Sequence, residues 1–408
     1  MLRPRSITGS LLLLAALLAG GCTTAPRVWT EPPPLSVEAR AERNARVFDR
    51  AAELAADRFF DQTMRGVDWP AAVARHRAAA LAAPDDEALY TAINALLNEL
   101  GESHNGALPP RDAFQQRHDT RVATGFIMRR VDGLWVVSTV YPGSAAALAG
   151  VQPGWVVRSR DGRPISERAS RFVMKPGQEV RLEFLDPADR VVPLSLIAGP
   201  VVWAPRREVR ELGEGIVLLR FEEFDQTSIR WLSDQLELRR DAPAVIVDLR
   251  GNPGGLLMSV RFAIAEFFPE EVPIGTFVRR DGRQRETGSL TLGAARYGGR
   301  VAILVDEASA SSAEIFAHVL QQNDRAVVVG RTTAGAVIAA RHYRLPDGGQ
   351  LQLAIQDYVG LDGRRLEGAG VVPDVPVTVR LDDLRQGRDA DLAAALAALE
   401  SPPALPPS

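Results

Sequence analysis

Residues 301–315 read Val301-Ala-Ile-Leu-Val-Asp-Glu-Ala-Ser-Ala-Ser-Ser-Ala-Glu-Ile315. The first five are apolar and β-favouring, and they predict a strand. A helix over 313–322 follows, with Ser309, Ser311 and Ser312 at its start. A hydroxyl there has two uses. It caps free backbone amides, or, with a base beside it, it acts as a nucleophile. Working outward, the same alternation recurs. Ile216–Phe221 and Ala244–Leu249 predict strands, and Ser228–Leu238 and Leu256–Phe268 predict helices. The turn Arg250-Gly-Asn-Pro-Gly-Gly255 separates the second strand from its helix. Val327–Gly330 and Gln350–Ile355 predict further strands. Strand–helix alternation of this kind predicts an α/β core with crossover connections.

A serine needs a base, and the usual ones are lysine and histidine. The chain has a single lysine, Lys175, far from the serines. The histidines are His76, His104, His118, His318 and His342. His318 lies two helical turns beyond Ser311, roughly 10 Å away, and reads as packing. His76 and His118 read as surface positions. His342 shares a strand face with Ala336 at about 20 Å. No His, Asp, Glu or Cys set has ligand spacing, so neither a metal nor another cofactor is expected.

Residues 1–22 read as an export leader: Arg3 and Arg5, then an apolar Leu11–Ala19 too short to span a bilayer, then Ala-Gly-Gly before Cys22, the lone cysteine. The order resembles a lipoprotein box, with Cys22 as the lipidated residue. It predicts a lipid-anchored, periplasm-facing protein of a Gram-negative cell envelope, with Thr23 after the cysteine pointing to the outer membrane. The formal charge is −3, and loss of Arg3 and Arg5 makes the remainder more acidic still. Nucleic acid is not an expected partner.

Residues 23–36 read as a Pro-rich tether. Within 37–118, Val47, Ala51, Leu54, Ala55 and Phe59 recur at helical spacing, as do Leu89, Ile93, Leu96 and Leu97, with Asp85 and Asp86 as caps. This predicts an N-terminal helical domain. Residues 120–200 change to short β-rich runs between glycine turns, such as Leu134–Val140 and Val180–Phe184. The core takes 205–380. The tail, 381–408, holds an Ala-rich helix and a Pro-rich end without evident chemistry.

Thr124-Gly-Phe-Ile-Met128, Tyr141-Pro-Gly-Ser-Ala-Ala146, Ala149-Gly-Val-Gln-Pro-Gly154 and Asp161-Gly162 resemble a PDZ domain, with Trp155 where the family has aspartate. The resemblance implies a loop, Gly125-Phe126-Ile127, whose amides take a peptide's C-terminal carboxylate. Together with Asp248–Gly255, Val305–Glu314 and Glu367-Gly-Ala-Gly-Val-Val-Pro-Asp374, it makes residues 40–380 resemble the tail-specific, or C-terminal-processing, serine proteases and their tricorn-core relatives. The fold so implied is a ClpP/crotonase-like α/β core with a helical N-terminal domain and an inserted PDZ domain. The nucleophile so implied is Ser311. The lysine of the Ser/Lys branch falls at Ala336, within Thr332-Thr-Ala-Gly-Ala-Val337. The tricorn-like branch implies His104 as base, oriented by Glu367 through Ser103. The helix start offers the Ser312 amide to an oxyanion, and Gly254 or Gly255 is expected as the second donor. The activity implied is cofactor-free endopeptidase cleavage of protein or peptide substrates, the oligomeric state remaining open. A catalytically inactive, PDZ-containing envelope adaptor is the alternative that the missing lysine keeps open.

Overall fold

The computed structural model describes residues 29–117, 120–165, 174–202, 207–290 and 297–400. The leader with Cys22, His118 and the last eight residues of the tail lie outside the described residues. Residues up to Pro32 form a unit apart from 33–408, and its described part, 29–32, holds no helix or strand. Among the described residues no helix is long and apolar enough to cross a membrane.

The central sheet orders its strands Arg207–Glu211, Val217–Phe221, Ala244–Asp248, Arg300–Val305, Val327–Gly330 and Val375–Pro376. The first pairing is antiparallel and the rest are parallel. The helices Gln226–Leu238, Leu257–Ala265 and Ser312–Gln322 connect successive parallel strands, and all three pack into one core on one face. A strand order that advances in one direction with crossovers of one hand requires this. Val245, Val247, Val301, Ile303 and Val305 face that core. Their alternates Ala244, Ile246, Ala302 and Leu304 face a second core closed by Ala395 and Leu399 of the helix Ala390–Glu400. Burial of both faces is why these strands read as unbroken apolar runs.

A second sheet is antiparallel. The long strand Gln350–Val359 pairs with Gly106–Leu108, Ala339–Arg344 and Pro273–Arg279, and the last pairs with Gln284–Gly288. The helices Val37–Arg58, Trp69–Leu81 and Asp86–Asn98 start at Ser36, Asp68 and Asp85, whose side chains accept amide hydrogens of the first turns. Their apolar stripes, with Val47, Phe48, Leu89, Ile93 and Leu96, close on Ile338, Leu351, Leu353 and Ala354. The expected helical domain is therefore not free-standing. It shares a core and, through Gly106–Leu108, a sheet with the region expected as 205–380.

Residues 120–202 form a β-rich module. Its six-stranded sheet runs Phe126–Val131, Leu134–Val140, Val156–Arg160, Glu179–Leu185 and Val191–Ile197, with Arg163–Pro164 on the third strand. The ribbon of Thr120–Ala123 with Gly199–Val202 brings the module's entry and exit side by side. The tail differs from expectation. After Val375–Pro376 the chain leaves the central sheet, and Val379, Leu381 and Leu384 pack on Val131, Val136 and Val156 of the module. Arg385 reaches Asp189 at 2.6 Å and the Leu381 amide reaches Asp132 at 2.9 Å. The chain then returns to the central sheet as Ala390–Glu400. The segment is a strap from core to module and back, a role that its composition did not announce.

Candidate active site

Ser311 stands between strand and helix with φ 54 and ψ −118. That conformation lies outside the left-handed well open to ordinary residues and costs about 1–3 kcal/mol. The surroundings hold it there. The Ser311 amide donates to Ala336 O at 2.8 Å and to Glu314 Oε2 at 3.0 Å. Glu314 is buried and also accepts from the amides of Gly335 at 2.7 Å and Ala336 at 2.8 Å and from Thr333 Oγ1 at 2.5 Å. Burial pushes its carboxyl above the usual range, against these donors. Glu314 thus binds the serine turn to the 333–336 loop. The sequence reading offered the serines as caps but did not single out Glu314, whose Ser311-x-x-Glu314 spacing is the signal that could have found it.

The three serines separate by what their hydroxyls do. Ser309 Oγ donates to Leu249 O at 2.7 Å and accepts from the Asp306 amide at 2.9 Å, fully buried. Ser312 Oγ donates to Gly255 O at 3.0 Å, also buried. Both hydroxyls hold backbone. Ser311 is half-exposed at the apex of the turn.

Ser103 and His104 arrive from the loop after the helix Asp86–Asn98. Ser103 Oγ lies 2.7 Å from His104 Nδ1, and the Ser103 amide donates to Glu367 Oε1 at 3.1 Å. Glu367 Oε2 accepts from the amides of Val337 at 2.8 Å and Ile338 at 3.1 Å. A bidentate pair of Glu102 with Arg365, both bonds 2.9 Å, clamps the same two loops together. A continuous path therefore runs from the Ser311 amide through the 336–338 loop and Glu367 to Ser103 and His104. Glu367 reaches Ser103 at the Ser103 backbone amide. Among the described residues no hydrogen bond joins His104 to Ser311. In resting enzymes such bonds are often long and tighten only around substrate. Burial lowers the His104 pKa, opposed by Glu367 and reinforced by His342.

Opposite Ser311 lies the turn 250–255. Asn252 fixes it: its O accepts from the Ala310 amide at 2.9 Å, and its side chain spans Phe221 O and the Gly254 amide, both at 2.9 Å. Asp306 Oδ1 adds a bond from the Gly251 amide at 2.8 Å. Gly254 has φ 94, and a Cβ there would stand 2.6 Å from both Ala310 O and Ser311 Cβ and 2.7 Å from the Ser312 amide nitrogen. Only glycine permits that approach. Because the Gly254 amide is committed to Asn252, it is not the free donor that the expectation allowed. Among the described residues the amides of Gly255 and Ser312 carry no hydrogen bond. The two turns together form a pocket of free amides beside a strained serine, suited to a negative oxygen.

The remaining expected positions are accounted for as follows. Gly125 has φ 97 and its O accepts from the Tyr141 amide and Ser144 Oγ, while a Cβ would overlap Ser144. Phe126 turns toward the module's core, its ring 5.7 Å from Phe184, and Ile127 is exposed. Both lie on Phe126–Val131, an edge strand of the described sheet. His318 is buried, 3.7 Å from Asp362 Oδ1, and burial lowers its pKa. His342 faces Gln352 at 3.2 Å, and His76 pairs with Glu99 at 2.6 Å.

The profile of Peptidase family S41 matches residues 215–377. The chain is 29% identical over 398 residues to tricorn protease homolog 2 of Streptomyces coelicolor, covering 88% of itself and 33% of that protein. It is 25% identical over 387 residues to the carboxyl-terminal-processing protease of Synechocystis sp., covering 89% of itself and 85% of the relative. Its fold is similar to that of the photosystem II D1 C-terminal processing protease, with TM-score 0.59 at 18% identity, over 88% of this chain and 97% of that one. The chain thus spans a third of the first relative and most of the second.

Proposed function

We propose that this chain, a serine-type peptidase of the S41 family, is a lipid-anchored endopeptidase working through Ser311, His104 and Glu367. The observation that carries this reading is the bonded path from the Ser311 turn through Glu367 to Ser103 and His104. The lysine position of the Ser/Lys branch is Ala336, whose carbonyl binds the Ser311 amide and which brings no amine. In this mechanism His104 Nε2 takes the Ser311 proton as Oγ attacks the scissile carbonyl, and later returns a proton to the leaving amine. Ser103 Oγ holds Nδ1, and the Glu367 carboxylate steadies Ser103 and the imidazolium charge. The Gly255 and Ser312 amides receive the oxyanion.

In the same reading residues 205–380 take the ClpP/crotonase-like core, and the β-rich module is a PDZ domain. Its edge strand Phe126–Val131 receives a substrate C-terminus or gates the site. Cys22 carries the lipid, and the enzyme faces the periplasm from the outer membrane of a Gram-negative cell. Cys22→Ser should move the protein from the membrane pellet to the soluble or uncleaved fraction; a native chain that stays soluble with Cys22 unmodified would rule the anchor out.

The test of the chemistry is labelling by a fluorophosphonate probe together with peptide hydrolysis. Ser311→Ala and His104→Ala should each lose activity by ~10³-fold or more while remaining folded. Native rates in His104→Ala would dismiss the histidine base. The second reading, an inactive envelope adaptor, is favoured by Ala336 alone; it requires that the native chain neither label nor cleave.

A further inference from the structure

One residue beyond His104 opens a cleft of about 480 Å³. Its lining holds six carboxamides and no charged side chain: Asn94, Asn98, Asn105, Gln116, Gln350 and Gln352. Asn94 and Asn98 stand one turn apart on the helix Asp86–Asn98, Gln116 comes from Pro110–Arg117, and Gln350 and Gln352 share a face of the long strand. Such convergence from separate elements is not a by-product of one polar helix face.

Part of this amide surface is already engaged. Asn94 bonds the Ala107 amide at 2.7 Å and its carbonyl at 3.0 Å, Gln350 donates to Gln116 at 3.0 Å, and Gln352 Oε1 meets His342. Part is not. Asn105 Oδ1 accepts from the Ala354 amide at 3.0 Å, but its Nδ2 is buried with no partner. A buried donor left unmet is costly and calls for an acceptor. Asn98 and Gln116 are exposed at the rim. A carboxamide both donates and accepts without charge. A wall built from six of them offers no counter-ion to a charged ligand, and an apolar one would strip the amides of water without replacing their bonds.

We propose that this cleft, lined by the residue that follows His104, is the subsite for an uncharged, hydrogen-bonding side chain of the peptide substrate (Asn, Gln, Ser or Thr). The proposal rests on the peptidase reading above. The exposed carboxamides of Asn98 and Gln116 donate to the side chain's oxygen and accept its N–H or O–H.

The experiment compares the native chain with the double variant Asn98→Leu, Gln116→Leu. Both side chains are exposed, so the core is left intact, and a thermal melt checks it. Peptides randomised around one cleavable bond are digested and the products sequenced by mass spectrometry. The native chain should favour Asn, Gln, Ser or Thr over Leu at one position by about 10-fold in kcat/KM, the worth of one net hydrogen bond. In the double variant that preference should fall to about onefold, while Ser311 still labels with fluorophosphonate. Labelling and cleavage without any such preference would overturn the subsite and leave the peptidase standing. A preference unchanged in the double variant would overturn it too, since selection would then lie elsewhere. Absence of both labelling and cleavage in the native chain would remove the peptidase reading and the subsite with it.

Discussion

Replacing Gly254 by alanine tests whether close approach of two turns sets the geometry around Ser311. At φ 94 the new Cβ would stand 2.6 Å from Ala310 O, 2.6 Å from Ser311 Cβ and 2.7 Å from the Ser312 nitrogen. Two of these atoms are backbone, and the third is fixed to it, so no side chain can swing aside. Ordinary contact begins at 3.4 Å, so relief requires a separation of about 0.8 Å between the turns, close to the 1 Å displacement that costs about 10²-fold in rate. The left-handed backbone adds about 1–2 kcal/mol and the overlap about 1–3 kcal/mol. The control is Gly251→Ala in the same turn, at φ 74 with nothing within 4 Å of the added Cβ. It carries the backbone term alone. Kinetics on a fluorogenic peptide, with active sites counted by fluorophosphonate titration and stability by thermal melting, should give a kcat loss of about 30- to 100-fold in Gly254→Ala and less than about 3-fold in Gly251→Ala. Equal losses in the two variants, or native kcat in a folded Gly254→Ala, would refute the reasoning.

Four further outcomes follow from the structure. Burial holds the His104 pKa below the ordinary imidazole value of about 6.5, so kcat/KM should rise with pH through an apparent pKa under 6.5 and be level by neutrality; a midpoint above 7 would contradict this. The His318 pKa is lowered in the same way, so below about 6.5 the unfolded chain binds more protons at both sites and stability should fall as pH drops through that window, which denaturant melts at pH 5 and 7.5 would read. Glu314→Gln leaves four donors facing one acceptor oxygen and an amide, and should cost about 3 kcal/mol together with most activity; a melt within 0.5 kcal/mol of native would deny the anchor role. Leu384→Asp should free the strap from the module, visible as faster hydrogen exchange in 126–160 with the central sheet protected as before, whereas unchanged exchange would show that the strap does not hold the module.

The sequence by itself was enough for most strands and helices of the central sheet and for the candidate serine turn. Val301–Val305 and the first four residues of Ala244–Asp248 read as strands because both faces are buried, so each of those residues is apolar. Asp85, Ser309, Ser311 and Ser312 announced helix starts because capping acts over three or four residues. The single lysine, Lys175, left a Ser/Lys dyad almost without candidates. Residue spacing also carried the family resemblance, and with it Ser311, His104 and Glu367. Tertiary structure decided the rest. It committed the hydroxyls of Ser309 and Ser312 to the carbonyls of Leu249 and Gly255 and left Ser311 half-exposed. It tied up the Gly254 amide with Asn252 and, among the described residues, left that of Gly255 without a hydrogen bond. It joined Ser103 to Glu367, 264 residues apart, merged the N-terminal helices into the core of an antiparallel sheet, and turned an unremarked tail into a strap. Caps, turns and periodicities are local interactions, written within a few residues of where they act. Contacts between distant loops depend on sheet register and on which apolar faces find each other, and those leave no mark in any short stretch of chain.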